Sequence, residues 1–114
     1  MHFEKSPAEL ADRFAEVLDR YPAAERRKMF GYPAAFLGGN MVTSLHGPNW
    51  VIRLPDADRD ELVGSEGGMA FEPMPGRPMK GFAVVPPAIV ADDSRLDAWL
   101  ERAFVHVRAM PPKK

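Results

Sequence analysis

Residues 34–54 read AAFLGGNMVTSLHGPNWVIRL: three short apolar runs divided by Gly38-Gly39-Asn40 and Gly47-Pro48-Asn49. Glycine, proline and asparagine at those positions mark tight turns. The spacing predicts three strands, Ala34 to Leu37, Met41 to His46 and Trp50 to Leu54, joined as an antiparallel meander. In the third strand, Trp50, Ile52 and Leu54 share one face and Val51 and Arg53 the other, because successive side chains alternate.

Upstream, Glu25-Arg26-Arg27-Lys28 reads as a short charged lead into Met29-Phe30-Gly31-Tyr32-Pro33. Before it, Ser6-Pro7-Ala8-Glu9 signals a helix start. Serine would accept a free amide, proline suits the first turn, and Glu9 would close a capping box. Leu10, Phe14, Val17, Leu18 and Tyr21 then recur at helical spacing, and Pro22 stops the run.

Downstream, Pro55 to Val63 predicts a short helix with Asp56 and Asp58 near its positive end. Residues 67–86 read GGMAFEPMPGRPMKGFAVVP. Met69 to Glu72 and Met79 to Val85 predict a second hairpin, with Met79 opening a buried strand. Pro73, Pro75, Gly76 and Pro78 make its connection wide and irregular. Ser94 is then expected to cap a last helix, helped by Asp97, whose stripe is Leu96, Trp99, Leu100, Ala103, Phe104 and Val107. Pro111-Pro112 ends that helix, and Lys113-Lys114 is expected to fray.

The resulting order is helix, three strands, short helix, two strands, helix. This is an α+β class: an antiparallel sheet of about five strands, one face covered by the N- and C-terminal helices. The chain has 114 residues, which suits one domain spanning 1–114. Apolar residues make up 46% and charged residues 27%, with a net charge of -1, so no bulk attraction to polyanions arises. The absence of cysteine removes disulfides, thiolate nucleophiles and thiolate metal sites. The first residues lack a secretory signal, and no window nears the roughly 20 apolar residues of a membrane span. The expectation is a cytoplasmic protein with no membrane partner.

Little in the chain points to chemistry. His2, His46 and His106 are not at metal-ligand spacing, and neither a metal nor a cofactor is expected. Asp56, Asp58, Asp60 and Glu61 lack the full oxygen set of a calcium loop. Gly64-Ser65-Glu66-Gly67-Gly68 lacks the lysine of a phosphate loop. Ser44, Ser65 and Ser94 sit in no nucleophile elbow. Met29, Met41, Met69, Met74 and Met79 cluster around strands and turns, where methionine fills gaps or lines an adaptable surface.

Several segments together resemble the N-terminal domain of the TfoX/Sxy family. They are Arg27-Lys28-Met29-Phe30-Gly31, Gly39-Asn40-Met41, Arg53-Leu54-Pro55, Phe71-Glu72-Pro73-Met74, Gly76-Arg77-Pro78-Met79-Lys80-Gly81 and Trp99-Leu100-Glu101-Arg102-Ala103. In order they cover roughly residues 5 to 110. The resemblance implies a small α+β domain and gives Gly31, Gly81 and Met79 structural weight. Full-length members in some bacteria regulate competence genes and usually carry a second domain, so a stand-alone domain is expected here. Tyr32-Pro33 departs from the MFGG form common in the family. No catalytic residue is carried over.

These readings favour a non-enzymatic regulatory or protein-interaction domain with a transcription-linked partner, the partner being implied by the resemblance. Arg26, Arg27, Arg77 and Lys80 are the orienting candidates, and Phe30 and Tyr32 the anchors. Direct nucleic-acid binding is the lesser reading, since the basic groups would have to converge on one surface. The rival class is a small-ligand or enzymatic domain with a pocket between sheet and helices, where His46, Arg53 and Glu72 would converge. A monomer and a small homo-oligomer both remain open.

Overall fold

The computed structural model of the protein describes residues 5–113. The meander forms as expected: β2 (Tyr32–Leu37), β3 (Asn40–His46) and β4 (Asn49–Arg53) run antiparallel. One more strand precedes them. Glu25–Met29, read above as a charged lead, is strand β1, paired antiparallel with β2 from Glu25↔Phe36 to Met29↔Tyr32. It sits at the sheet edge with both faces largely exposed, so the ladder holds it while charged side chains stay in water. With β5 (Met69–Ala70) and β6 (Phe82–Val85) the described residues form a six-stranded sheet, in the order β1-β2-β3-β4-β6-β5.

Three two-residue turns connect the first four strands. Gly38-Gly39 has positive φ at both positions (56° and 82°), and Gly47-Pro48 has positive φ at Gly47 (56°). Glycine adopts these angles without strain. Between β1 and β2 the turn is Phe30-Gly31, again positive at both positions (53° and 83°). Phe30 is the non-glycine residue there, in a conformation that crowds its Cβ.

Alternation divides the strands between two faces. Trp50 and Ile52, with Leu54, join the core under the helices, whereas Val51 joins a second cluster on the opposite face. Pairing slips by one residue between Ala35↔Thr43 and Phe36↔Met41. The extra residue, Val42, packs in the helix-side core while Met41 faces the other way. Buried Thr43 is satisfied: its Oγ1 accepts from Trp50 Nε1 at 2.8 Å and donates to the Val51 carbonyl at 2.6 Å.

The helix-side core takes Phe14, Val17 and Leu18 from α1 (Ala8–Leu18) and Leu62 from α2 (Asp56–Ser65). A short α3 (Pro87–Val90), not foreseen, adds Ile89. The longest helix, α4 (Asp93–Arg108), buries the whole stripe from Leu96 to Val107. Arg13 ties α1 to this corner, donating from Nε and Nη2 to the Val90 carbonyl (3.0 and 2.8 Å) and pairing with Asp93 at 2.8 Å.

Both capping expectations need correction. α1 starts after Pro7 with no side-chain cap, and Ser6 Oγ is buried with no hydrogen-bond partner among the described residues. α4 is capped by Asp92, which accepts the Arg95 amide at 3.1 Å, leaving Ser94 inside the helix. Aspartate caps as well as serine and stands two residues earlier, so it wins. Asp97 is used elsewhere: it accepts from Arg20 at 2.7 Å and from the Tyr21 hydroxyl at 3.0 Å. Tyr21 follows α1 and stacks on Phe104 at 4.7 Å; burial, then the Asp97 contact, pushes its phenol up to about 12.

The C-terminal segment is also tied down. Lys113 donates its amide to the Gly38 carbonyl at 2.7 Å, and Asn40 Nδ2 donates to the Pro111 carbonyl at 2.9 Å. The expected fraying therefore does not apply to Lys113; Lys114, like His2, lies outside the described residues.

Candidate functional site

Ala34, Phe36, Met41, Val51, Phe82 and Val84 point away from the helices and form a second apolar cluster with Phe71, against which Met29 packs. No helical residue among those described belongs to it. Its cover is the connection between β5 and β6, residues 71–81, called the arm below. Pro73, Pro75 and Pro78 keep the arm out of the ladder. It folds on itself instead: Arg77 donates its amide to the Met74 carbonyl and Met79 to the Phe71 carbonyl, both at 2.9 Å. Met79 does not open a buried strand, because β6 begins at Phe82 and Met79 is 40% exposed.

The arm anchors Phe71, 6% exposed, and leaves a cleft of about 260 Å³ between itself and the β1–β3 hairpins. Its walls are Met29, Phe30, Tyr32, Met41, Ser44, Leu45, His46, Phe71, Pro73, Met74 and Met79. The His46 ring lies between Tyr32 (5.0 Å) and Phe71 (5.2 Å, edge-on). Four thioethers give this wall a soft lining that reshapes at little cost. Phe30, 79% exposed, stands at its margin on the strained turn.

Cations border the same face. Arg27 lies over the Phe36 ring at 5.0 Å and is held by Glu25 at 2.6 and 3.1 Å, a contact that draws the Glu25 carboxyl below its usual range. Arg53 lies over Phe82 at 5.0 Å and reaches the Met41 carbonyl at 3.4 Å. Burial lowers the Arg53 guanidinium from its ordinary value. Arg77 and Lys80 are exposed on the arm.

Charge is segregated on a larger scale. The strands and arm, residues 25–54 and 69–85, carry six basic residues (Arg26, Arg27, Lys28, Arg53, Arg77, Lys80) and two acidic ones (Glu25, Glu72). The four helices carry ten acidic residues and five basic ones. The net charge of -1 hides this opposition. Counting charges segment by segment along the sequence would have revealed it.

The sequence-derived residues divide accordingly. Phe30 and Tyr32 line the cleft, although Tyr32 is buried, and Arg27 flanks it. Arg26 points to the opposite face and bonds Asp19 at 2.7 Å, since neighbours on a strand alternate. Of His46, Arg53 and Glu72, only His46 lines the cleft. A second hollow, about 540 Å³, does lie between sheet and helices, lined in part by Leu10, Arg13, Trp50, Val85 and Val90. None of the three lines it. Among the described residues no cluster of histidine and carboxylates has the makings of a metal site.

A family model described as the TfoX N-terminal domain matches residues 16–107. No curated protein and no solved structure matches the chain.

Proposed function

The chain belongs to the TfoX N-terminal domain family, and from that premise we propose that it is a regulatory domain that works by docking a protein partner rather than by catalysis. The observation that carries this reading is the face opposite the helices. It combines a thioether-lined cleft, an exposed phenylalanine and a basic border, a composition suited to an adaptable protein contact. A transcription-linked partner follows from the family resemblance, and a cytoplasmic location belongs to the same reading. Among the described residues no helix is long and apolar enough to cross a membrane.

Anchoring falls to Phe30 and the methionines, and orientation to Arg27, Arg77 and Lys80. A second reading, a small apolar ligand in the cleft, is favoured by Ser44 and His46 as polar contacts within an apolar wall. Affinity capture from cells with the intact chain, beside Phe30→Ala and Arg77→Glu, separates the two. A transcription regulator or RNA polymerase subunit recovered by the intact chain and lost from both variants supports docking. A small apolar molecule recovered alone supports the second reading.

A further inference from the structure

We infer that the partner presents an extended acidic segment, which adds as a further strand to the edge of β1 and inserts an apolar side chain into the adjoining cleft. This rests on the docking reading above and specifies the partner's chemistry and pose. Among the described residues β1 pairs on one side only, with β2. Alternate backbone groups of an edge strand face outward and template a new strand. The other edge, β5, spans two residues and offers far less backbone.

Charge selects the occupant. A second copy pairing antiparallel about Arg27 would set Arg27 against Arg27 and Arg26 against Lys28, and opposed like charges on adjacent strands repel. Acidic side chains opposite Arg26 and Lys28 in the added strand replace that clash with an attraction, and the alternate positions, on the Arg27 face, carry the apolar side chain toward the cleft. A polynucleotide fits less well: of the rings on the cleft wall, Tyr32 and Phe71 are buried and pack against His46, which leaves Phe30 rather than a row of open rings for bases to stack on.

The β1–β2 turn supplies an independent argument. Both of its central residues have positive φ, where asparagine or glycine fits best at the first position. Phe30 occupies it and is 79% exposed, so the fold gains neither favourable backbone nor burial from the ring. A strained, exposed aromatic beside an apolar cleft at the end of an edge strand is suited to gripping a bound segment.

The test uses synthetic peptides of about eight residues, long enough to run past β1 and reach the cleft. One alternates glutamate with valine and carries a central phenylalanine; its counterpart has lysine for glutamate; a thymidine octanucleotide is the third probe. Amide and methionine-methyl NMR shifts of the full chain report the binding site. The acidic peptide is expected to move the Glu25–Met29 amides and the Met74 and Met79 methyls, and to bind at least about tenfold tighter than the lysine peptide. Lys28→Glu and Phe30→Ala, checked for intact amide dispersion, should each weaken it, and added salt should do the same.

Equal binding of the two peptides, shifts confined to the helices, or tighter binding of the oligonucleotide overturns the inference. Self-association through β1 does so as well. Absence of peptide binding, with partner capture still dependent on Phe30, overturns strand addition and leaves the docking reading standing.

Discussion

The same strands supply both faces of the sheet, residue by alternate residue, yet the two faces are finished differently. Under the helices, Trp50 touches Phe14 at 5.0 Å and sends its indole proton to Thr43. That side is filled by branched and aromatic groups from four helices, and its one buried hydroxyl–indole pair is satisfied. Under the arm, one turn of chain covers part of the apolar surface, methionines line the remainder, and an open cleft stays. The first arrangement fixes a fold. The second, with the same pleat beneath it, keeps its surface open and deformable, as an adaptable contact requires.

Truncation gives the largest expected effect and tests this difference directly. Trp50→Ala should cost about 3–5 kcal/mol, because it removes a fully buried ring and leaves a cavity. Phe71→Ala should cost about 1.5–3 kcal/mol, since its site already borders open space. Urea unfolding measures both; equal losses would mean the arm is as firmly packed as the helices. Next comes Phe30→Asn, expected to raise stability by about 1 kcal/mol by relieving the left-handed strain, while weakening partner capture. A neutral or lowered unfolding midpoint would show that the Phe30 ring packs in solution.

The effect confined to the narrowest conditions belongs to the helix side. Tyr21 is raised from 10.0 to about 12, so the folded state favours the protonated phenol. Its contribution is complete below about pH 10 and is lost as pH climbs through about 12. Tyr21→Phe should flatten the fall in stability across that window, followed by denaturation at stepped pH. An unchanged slope would mean that neither burial nor the Asp97 contact raises the phenol.

How much of this was legible depends on which groups carried the signal. The meander was readable because glycine and proline mark two of its turns and because Trp50-Val51-Ile52 alternates on opposite faces. The first hairpin was hidden twice over. Phe30-Gly31 is not the dipeptide that such a turn prefers, and Glu25-Arg26-Arg27-Lys28 has no apolar alternation, since an edge strand with two wet faces has no need of any. Missing that strand also blurred the site: Arg26 and Arg27 look like one basic cluster until the pleat sends them to opposite faces. The methionine lining was visible in the composition around the turns. Its convergence with His46 depends on how the arm folds back, and prolines alone do not encode that.

The chain has no cysteine, so its softest sulfur atoms are thioethers, and among the described residues the helix-side cluster has only the half-buried Met110 packed against it. Four gather on the cleft wall, with Met74 46% and Met79 40% exposed. Peroxide reaching the protein thus finds thioethers on the contact surface, besides Met69 on β5, which is 58% exposed. Each sulfoxide formed there replaces an apolar lining group with a polar, chiral one and leaves the helix-side scaffold chemically untouched. Methionine sulfoxide reductases would restore the lining, so the same placement makes this face reversibly sensitive to oxidants.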